Sequence, residues 1–362
     1  MINIIFSGGG SGGHFYPLIA VARELKEQNK DIKIYFTAPK NPDKGALKKE
    51  GIIFKSIVSG KLRRYFSFKN FISPFLILTG FAQSIILFNK VSPKAVFLKG
   101  GYGALPTGLA ALVLRVPIFI HESDSVPGLM NKIFHKFSKV SFVAFREAFP
   151  VSSRVKVVGN PVRDMSSKLT RDGAKKELGI ATDKPIIFVS GGSQGAGEIN
   201  ELIFNLIGDL KDEFFTLHII GKSKMEEYEK RLEEKGTIDD YKIYPYLYEK
   251  QLKAAYRAAD LLVFRAGAGM IFEAARNAKP SILIPLMSSA GEHQLRNAYS
   301  YSASGAGLIM EEPNKNIHTF LALLRKTIGD KNKLKAMSEA AQKFAKPDSA
   351  KEIASTLNEY LI

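Results

Sequence analysis

The sequence predicts an α/β protein with two Rossmann-like domains, each a doubly wound parallel sheet, facing an interdomain cleft. Apolar, β-branched runs alternate with helical stretches along the chain, which is typical of parallel sheets. A strand, a glycine-rich loop and a helix open the chain, and the same order returns at residue 185. The length of 362 residues is also more than one hydrophobic core usually supports.

The first half begins with this strand, glycine loop and helix. Pro17 falls in the first turn of the predicted helix, where proline is tolerated. Ligands of doubly wound sheets bind at the carboxyl ends of the strands, so His14, His121 and Glu122 are expected at that edge. The predicted elements are strands 3–7, 32–37, 52–57, 95–98, 117–120, 141–144 and 155–158, with helices 15–28 and 105–114.

The second half repeats the pattern after a polar, charged stretch at 164–184, which we interpret as the linker. The domains are therefore 1–163 and 164–345. We expect the remainder, 346–362, to form a helix that can pack back on the first domain. The predicted strands are 185–190, 216–220, 242–244, 260–264 and 281–285, and a glycine loop at 191–196 precedes a helix to 209.

The stretch 260–277 carries the clearest ligand-binding signal. Gly267 and Gly269 let the backbone turn sharply and approach a ligand closely. The following helix exposes unpaired N–H groups and the positive end of its dipole, an arrangement that binds phosphate. Glu273, one turn further, can accept hydrogen bonds from sugar hydroxyls, and Arg265 lies at the strand tip. The alternative is an ordinary strand–turn–helix connection with a surface glutamate.

Composition narrows the compartment and the partner. The formal net charge of +17 predicts an anionic partner, which is a phosphorylated substrate, an acidic lipid or a nucleic acid. The chain has no cysteine, which excludes disulfides and thiolate metal sites and fits a reducing compartment. Its first residues enter a strand without a basic region, so we predict no signal peptide.

Two nucleotide-binding classes are disfavoured. Dinucleotide-binding folds need an acidic residue at the end of the second strand to hold a ribose hydroxyl. Here those positions are Thr37-Ala38 and Ile220-Gly221. The glycine spacings also miss the G-x-G-x-x-G order, and there is no P-loop motif. These observations argue against an oxidoreductase and a P-loop enzyme.

Six motifs in one order resemble the MurG family of glycosyltransferases, over residues 1 to about 345. The resemblance implies a GT-B fold and transfer of N-acetylglucosamine from UDP to the 4-hydroxyl of the muramyl sugar of lipid I. The product is lipid II for peptidoglycan, formed with inversion and without a metal or other cofactor. The motifs are Gly9-Gly-Ser-Gly-Gly-His14, Gly100-Gly-Tyr102, His121-Glu122 with Gly128-Leu-Met-Asn131, Gly159-Asn-Pro-Val-Arg163, Gly191-Gly-Ser-Gln-Gly-Ala196 and His293-Gln294-x-x-Asn297-Ala298.

The resemblance implies that domain 1–163 binds the acceptor and the membrane and that domain 164–345 binds the donor nucleotide. It also implies donor contacts. Glu273 would hold the ribose, the main chain at Leu247 would read the uracil edge, and Gln294 would contact the donor sugar. Arg163 would balance the charge of the departing diphosphate. The full set is Ser11, Gly12, Gly13, Asp124, Arg163, Ser193, Leu247, Ala268, Gly269, Met270, Glu273 and Gln294.

Three positions depart from the family pattern. Asp124 stands where asparagine is usual, which puts an anion in a sugar-binding segment. Ala266 and Met270 replace two hydroxyl residues of the second-domain turn. Phosphate binding there would depend on backbone N–H groups.

The reaction needs a base for the acceptor hydroxyl and positive charge near the leaving UDP. No Asp-x-Asp motif is present to hold a divalent ion, so helix N-termini and arginine would stabilise the diphosphate. His14 is the leading base, because an imidazole pKa near 6.5 suits proton transfer at neutral pH. Glu122 is the competing base, with His121 orienting it. The implied contacts to the acceptor diphosphate are Gly10, Gly12, Gly13, Gly101, Tyr102 and Asn131.

A basic and apolar stretch predicts contact with a membrane surface. Cations and aromatics alternate at 61–69, and residues 71–88 are strongly apolar but broken by polar residues, so we do not predict a span. One interpretation is a core helix behind a basic loop. The other is an interfacial face against anionic headgroups on the cytoplasmic side of the bacterial inner membrane. That face consists of Lys61, Arg63, Arg64, Phe71 and Phe75.

Two alternatives to the transferase stay open from the sequence. A UDP-N-acetylglucosamine 2-epimerase would use the same fold and release free sugar without a lipid acceptor. A non-catalytic basic module would bind membranes or, through its aromatic and basic loop, single-stranded nucleic acid. We expect UDP-N-acetylglucosamine, lipid I and an anionic membrane as partners, and no nucleic acid.

Overall fold

The structure is a computed structural model that describes residues 1–9, 12–61, 69–162, 169–192, 196–236, 238–287, 290–311 and 316–362. The chain divides into two compact units. One consists of Met1–Arg163 together with Lys346–Ile362, and the other is Asp164–Ala345.

The first unit is built on a parallel sheet whose strands are buried apolar runs. Its strands are β1 (Ile2–Ser7), β2 (Ile32–Ala38), β3 (Ile53–Ser56), β4 (Ala95–Leu98), β5 (Ile118–Glu122), β6 (Val140–Val143) and β7 (Val155–Val157). Over the described residues they lie in the order β3-β2-β1-β4-β5-β6-β7. The chain reverses direction across the sheet between β1 and β4, the position where ligands of doubly wound sheets bind.

Helices cover both faces of this sheet and complete two apolar clusters. They are α1 (Gly12–Gln28), α2 (Lys44–Lys49), α3 (Lys69–Val91), α4 (Leu105–Val113) and α5 (Leu129–His135). Helix α1 begins three residues earlier than predicted, and this places His14 in its first turn.

The second unit repeats the architecture with a parallel sheet in the order β10-β9-β8-β11-β12-β13, counted over the described residues. The strands are β8 (Ile186–Ser190), β9 (Phe215–Ile219), β10 (Tyr241–Tyr244), β11 (Leu261–Phe264), β12 (Ser281–Leu283) and β13 (Gly307–Ile309). The helices are α6 (Arg171–Glu177), α7 (Gly197–Asn205), α8 (Ile207–Leu210), α9 (Met225–Lys235), α10 (Glu249–Ala258), α11 (Ala268–Arg276), α12 (His293–Ala303), α13 (Ile317–Gly329) and α14 (Lys331–Phe344). The predicted fold class, two doubly wound parallel-sheet domains, is confirmed.

Two local predictions need correction. The stretch interpreted as a linker contains α6, which is capped by the Thr170 side chain and buries Ala174 in the second unit. The short strand β13 was not predicted, because three residues give too little alternation to recognise. The last helix, α15 (Ser349–Leu361), belongs to the first unit and packs on α1.

Between residues 71 and 86, helix α3 turns small and polar residues inward and most of its large apolar residues outward, whereas the large apolar residues of its last turn are buried in the core. Ser73 and Ser84 are buried, and a Cβ on Gly80 would lie 1.8 Å from the Val58 carbonyl oxygen. The exposed side chains include Phe71, Ile72, Phe75, Leu78 and Ile86. Among the described residues, one stretch, Phe71–Val91, is long and apolar enough to cross a membrane by length and composition alone, with a mean hydropathy of 1.9.

Candidate functional site

In the first unit, two glycine turns meet at the carboxyl edge of the sheet. The Gly9 N–H donates to the Gly100 carbonyl oxygen at 3.0 Å. A Cβ on Gly101 would lie 2.9 Å from the Gly9 Cα, and Gly101 has a φ of 76°. Only glycine fits this close approach and this backbone conformation, so the two turns form a surface lined by backbone.

His14 lies beside both turns. Its Nδ1 is 3.2 Å from the Lys99 carbonyl oxygen. A carbonyl can only accept, so Nδ1 carries the hydrogen and, in the neutral ring, Nε2 carries the basic lone pair. A Cβ on Gly9 or Gly101 would lie within 3.3 and 3.7 Å of the His14 ring carbon Cδ2. The fold therefore favours the Nδ1–H tautomer of His14, in which Nε2 is the nitrogen able to accept a proton, next to the glycine turns.

Glu122 ends β5 and is buried. Its Oε1 accepts from the Asp124 N–H at 3.0 Å, and its Oε2 accepts from the Gly128 N–H at 2.9 Å and the Asn131 side-chain amide at 2.8 Å. Burial raises the pKa of the Glu122 carboxyl, and the charge of Asp124 raises it further, whereas these three hydrogen bonds lower it. The carboxylate thus organises the loop that leads from β5 to α5.

Asn131 takes part in the same arrangement. Its amide nitrogen donates to the His121 carbonyl oxygen at 3.0 Å and to Glu122. Both amide hydrogens are thereby used within the fold, and a diphosphate offers only acceptor atoms. The side chain of Asn131 therefore holds Glu122 in place, and the contact from Asn131 to the acceptor diphosphate stays a prediction.

A buried lysine lies behind these residues. The Lys99 ammonium is 2.5 Å from His121 Nδ1, bonds to the Ser123 hydroxyl, and is 3.4 Å from Asn160 Oδ1. Burial lowers the pKa of Lys99 to about 8, against the attraction of Glu122 and Asp124. Burial and the Lys99 charge hold the pKa of His121 well below its usual value, and its Nε2 donates to the Gly159 carbonyl oxygen at 2.9 Å.

In the second unit, the helix predicted to bind phosphate begins at Ala268, after the turn at Gly267. Over the described residues no side chain caps this N-terminus, so the first-turn N–H groups of Ala268, Gly269 and Met270 point out of the helix end. A Cβ on Gly192 would lie 3.9 Å from the Met270 sulfur. Gly192, after β8, and the first turn of α11 are thus neighbours.

Other predicted donor contacts surround this helix. Glu273 is half-buried on α11 and accepts a hydrogen bond from the Tyr256 hydroxyl at 2.9 Å. The Gln294 side-chain oxygen accepts from the Leu286 N–H at 3.0 Å, which fixes its amide near the β12 edge. The Leu247 side chain is buried, so a contact from this residue to a ligand would come from its main chain.

Arg265 has a structural role at the β11 tip. Its guanidinium donates to the Ile284 carbonyl oxygen at 3.1 Å and pairs with the Glu198 carboxylate. Its side chain is 9% exposed. The guanidinium therefore joins β11, the chain after β12 and the start of α7.

The structure describes some of the remaining predicted site residues, and others lie outside the described residues. Gly12, Gly13, Gly101 and Tyr102 are described: the first two begin α1, and the others begin a 3₁₀ turn, Tyr102–Ala104. Lys61, Phe71 and Phe75 are exposed, and Asp124 is half-buried. The predicted contacts that lie outside the described residues are Gly10, Ser11, Arg63, Arg64, Arg163 and Ser193.

The sequence interpretation missed Lys99 and Tyr256. Lys99 had a usable signal, because a charged residue directly after a buried parallel strand falls at the ligand-binding edge. Tyr256 had none, since it is one apolar-face residue of α10 and its partner Glu273 is on another helix.

Comparisons with known proteins cover nearly the whole chain. Residues 4–143 match the glycosyltransferase family 28 N-terminal domain, and residues 186–353 match the glycosyltransferase family 28 C-terminal domain. A Bacillus cereus protein named UDP-N-acetylglucosamine–N-acetylmuramyl-(pentapeptide) pyrophosphoryl-undecaprenol N-acetylglucosamine transferase 2 is 34% identical over 362 residues, which cover 99% of this chain and 100% of that protein.

Solved structures agree with this assignment. The crystal structure of Acinetobacter baumannii MurG superposes with a TM-score of 0.78 at 25% identity, covering 99% of this chain and 100% of that one. The UDP-GlcNAc 2-epimerase of Neisseria meningitidis, bound to UDP-GlcNAc, superposes with a TM-score of 0.68 at 12% identity, covering 99% and 100%. At that identity the likeness to the epimerase concerns the fold alone. The two family domains and the full-length relative together show that this chain belongs to glycosyltransferase family 28.

Proposed function

We propose that this protein transfers N-acetylglucosamine from UDP-N-acetylglucosamine to the 4-hydroxyl of the muramyl sugar of lipid I, giving lipid II. The observation that carries the proposal is the full-length similarity to a relative named for this reaction, at 34% identity. The geometry at His14 and at the N-terminus of α11 supplies groups that suit its two chemical demands.

The first demand is removal of a proton from the acceptor hydroxyl. His14 Nε2 takes this proton while the acceptor oxygen attacks the anomeric carbon of N-acetylglucosamine. The bond to UDP breaks on the opposite face, so the configuration inverts. The support for this role is the Nδ1–H bond to the Lys99 carbonyl, which leaves the basic lone pair on Nε2.

The second demand is stabilisation of the leaving diphosphate. The uncapped N-terminus of α11 offers N–H groups from Ala268, Gly269 and Met270. Within the described residues, no group of three or more His, Asp or Glu side chains is arranged to hold a metal ion. In the mechanism we propose, dipole and backbone hydrogen bonds carry this charge without a metal, with Arg163 and Ser193 as proposed partners.

The lipid acceptor also calls for contact with a membrane surface. The exposed apolar residues of α3 between residues 71 and 86 fit insertion at the lipid boundary, while its buried residues pack against the domain. Because that inner side is occupied by protein, we propose that α3 lies in the cytoplasmic interface of the inner membrane. The net charge of +17 favours anionic headgroups there.

The test is an assay with labelled UDP-N-acetylglucosamine and lipid I. We expect label in the lipid, undiminished by a chelator, and a fall in turnover of about 10²–10⁴ in His14→Ala. Free N-acetylmannosamine with UDP would instead identify an epimerase. Binding of vesicles or oligonucleotides without turnover would identify a non-catalytic module, and loss of activity with the chelator would contradict metal independence.

A further inference from the structure

Tyr256 is a buried tyrosine whose hydroxyl reaches the proposed ribose-binding carboxylate. It lies on α10 and is 2% exposed. Its hydroxyl donates to Glu273 Oε2 at 2.9 Å. Its ring packs edge-to-face on Phe188 of β8, with ring centroids 5.5 Å apart and an angle of 88° between the planes. The phenol is therefore held by the sheet and joins α10 to α11.

The direction of this hydrogen bond is fixed by chemistry. An ionised carboxylate only accepts, so the phenol is the donor. A glutamate side chain has several rotatable bonds and loses rotamer freedom when it is fixed. Tyr256 restricts that freedom before any ligand arrives, because its own ring is immobilised by Phe188. A preorganised acceptor binds its partner more tightly than a mobile one.

We propose that Tyr256 is a positioning residue that aims Glu273 at the ribose and so sets the preference of the site for ribonucleotides. The proposal rests on the proposed function, in which Glu273 holds the ribose hydroxyls. Tyr256 itself need not touch the nucleotide. Removing the Tyr256 hydroxyl must therefore reduce the part of the binding free energy that the ribose hydroxyls contribute. It should not weaken all nucleotides equally.

A second buried tyrosine in the same unit offers a matched control. The Tyr241 hydroxyl is 2.8 Å from His218 Nδ1, and Tyr241 is 5% exposed. Tyr241→Phe and Tyr256→Phe each remove a hydrogen bond of a buried tyrosine hydroxyl. The partner that is lost is His218 in the first variant and Glu273 in the second. A merely structural role for Tyr256 predicts that the two variants behave alike.

The experiment is calorimetric binding of UDP and of its 2′-deoxy and 3′-deoxy analogues to the full-length protein and three variants. Wild type should prefer UDP over at least one analogue. Tyr256→Phe should lower this preference by about three- to tenfold, and Glu273→Ala should abolish it. Tyr241→Phe should leave it unchanged. In Tyr256→Phe/Glu273→Ala the preference should fall no further than in Glu273→Ala, because the two residues act through one carboxylate.

The outcomes distinguish the positioning role of Tyr256 from the ribose-binding role of Glu273. A wild-type preference in Tyr256→Phe, with loss in Glu273→Ala, would overturn the positioning role and leave the ribose site intact. Equal weakening of UDP and both analogues in Tyr256→Phe would also overturn it, since that is the signature of general destabilisation. A wild-type preference in Glu273→Ala would overturn the ribose site itself, and the positioning role with it.

Discussion

His14 and Glu122 lie at the carboxyl edge of the same sheet but are held in different ways. His14 is half-buried and donates its Nδ1–H to the Lys99 carbonyl oxygen, so in the neutral ring the basic lone pair lies on Nε2. Glu122 is buried and accepts three hydrogen bonds from its own loop and helix. A base must exchange partners during turnover, and Glu122 would have to give up bonds that organise the loop. The contrast favours His14 as the base.

This contrast predicts different phenotypes for the two residues. In Glu122→Gln, an amide N–H₂ replaces one of the two carboxylate oxygens, each of which now accepts at least one hydrogen bond. The amide group faces a donor there, so the loop loses at least one hydrogen bond in the interior. We expect a fall of about 1–3 kcal/mol in the free energy of unfolding, measured by urea denaturation, with a smaller loss of turnover than in His14→Ala. A stable Glu122→Gln protein with turnover reduced as far as His14→Ala would assign the base to Glu122.

Lys99 predicts a pH dependence of stability. Burial lowers its pKa to about 8 from the ordinary 10.5, so between these values the unfolded chain binds more protons than the native protein. Stability must therefore rise with pH across that window, at a slope of up to about 1.4 kcal/mol per pH unit. Lys99→Met removes this contribution.

The measurement is urea denaturation of wild type and variant between pH 7.5 and about 10.5. The difference in unfolding free energy, wild type minus Lys99→Met, should increase with pH. Lys94→Met, at an exposed lysine, is the control and should give a constant difference. A constant difference for Lys99→Met would mean that its ammonium is not held in a desolvated site.

At the scale of elements, the exposed residues of α3 allow membrane binding to be tested without disturbing the fold. Phe71 and Phe75 are 67% and 72% exposed, so replacing both with serine removes apolar surface without opening the core. A fully transferred phenylalanine contributes about 1.5–3 kcal/mol, and the double variant should bind anionic vesicles at least about tenfold more weakly.

Vesicle sedimentation with a thermal-melt check measures this. Val151→Ser is the matched control, since Val151 is 79% exposed and lies far along the chain from α3. Unchanged sedimentation of the double variant would show that α3 is not the membrane face. Equal loss in Val151→Ser would point to non-specific adsorption.

The elements differ in how well their positions could be predicted from the sequence. Parallel strands such as β4 and β8 are buried on both faces and read as short apolar runs, so their positions were predicted to within a residue or two. Helix α6 was missed because its seven residues are mostly charged and only Ala174 is buried. The hydrogen bonds of Lys99 and Tyr256 join residues 17 or more positions apart. Such pairs depend on the register of separate elements, which composition and periodicity do not encode.

At the scale of the whole molecule, the chain passes through the second unit and returns to finish the core of the first. Helix α15 buries Ile353, Ala354, Leu357 and Leu361 in the cluster that contains α1. The Asn29 side chain also bonds to Asn358 at 3.1 Å. The core of the first unit is therefore incomplete until α15 has been made, although all the described strands of its sheet lie in the first half of the sequence.

This arrangement predicts that a destabilising substitution in α15 also destabilises the elements at the start of the chain. Leu357 is fully buried, and Leu357→Ala leaves a cavity that should cost about 2–5 kcal/mol. Hydrogen exchange measured by mass spectrometry should then accelerate in peptides from α1, β1 and β2 as well as α15, while peptides from α13 and β8 stay protected. Leu324→Ala, at a fully buried leucine of α13, should give the reverse pattern. If α15 shares a core with α1, β1 and β2, destabilising it must also destabilise those elements. Faster exchange confined to α15 in Leu357→Ala would therefore show that the first unit is stable without this helix.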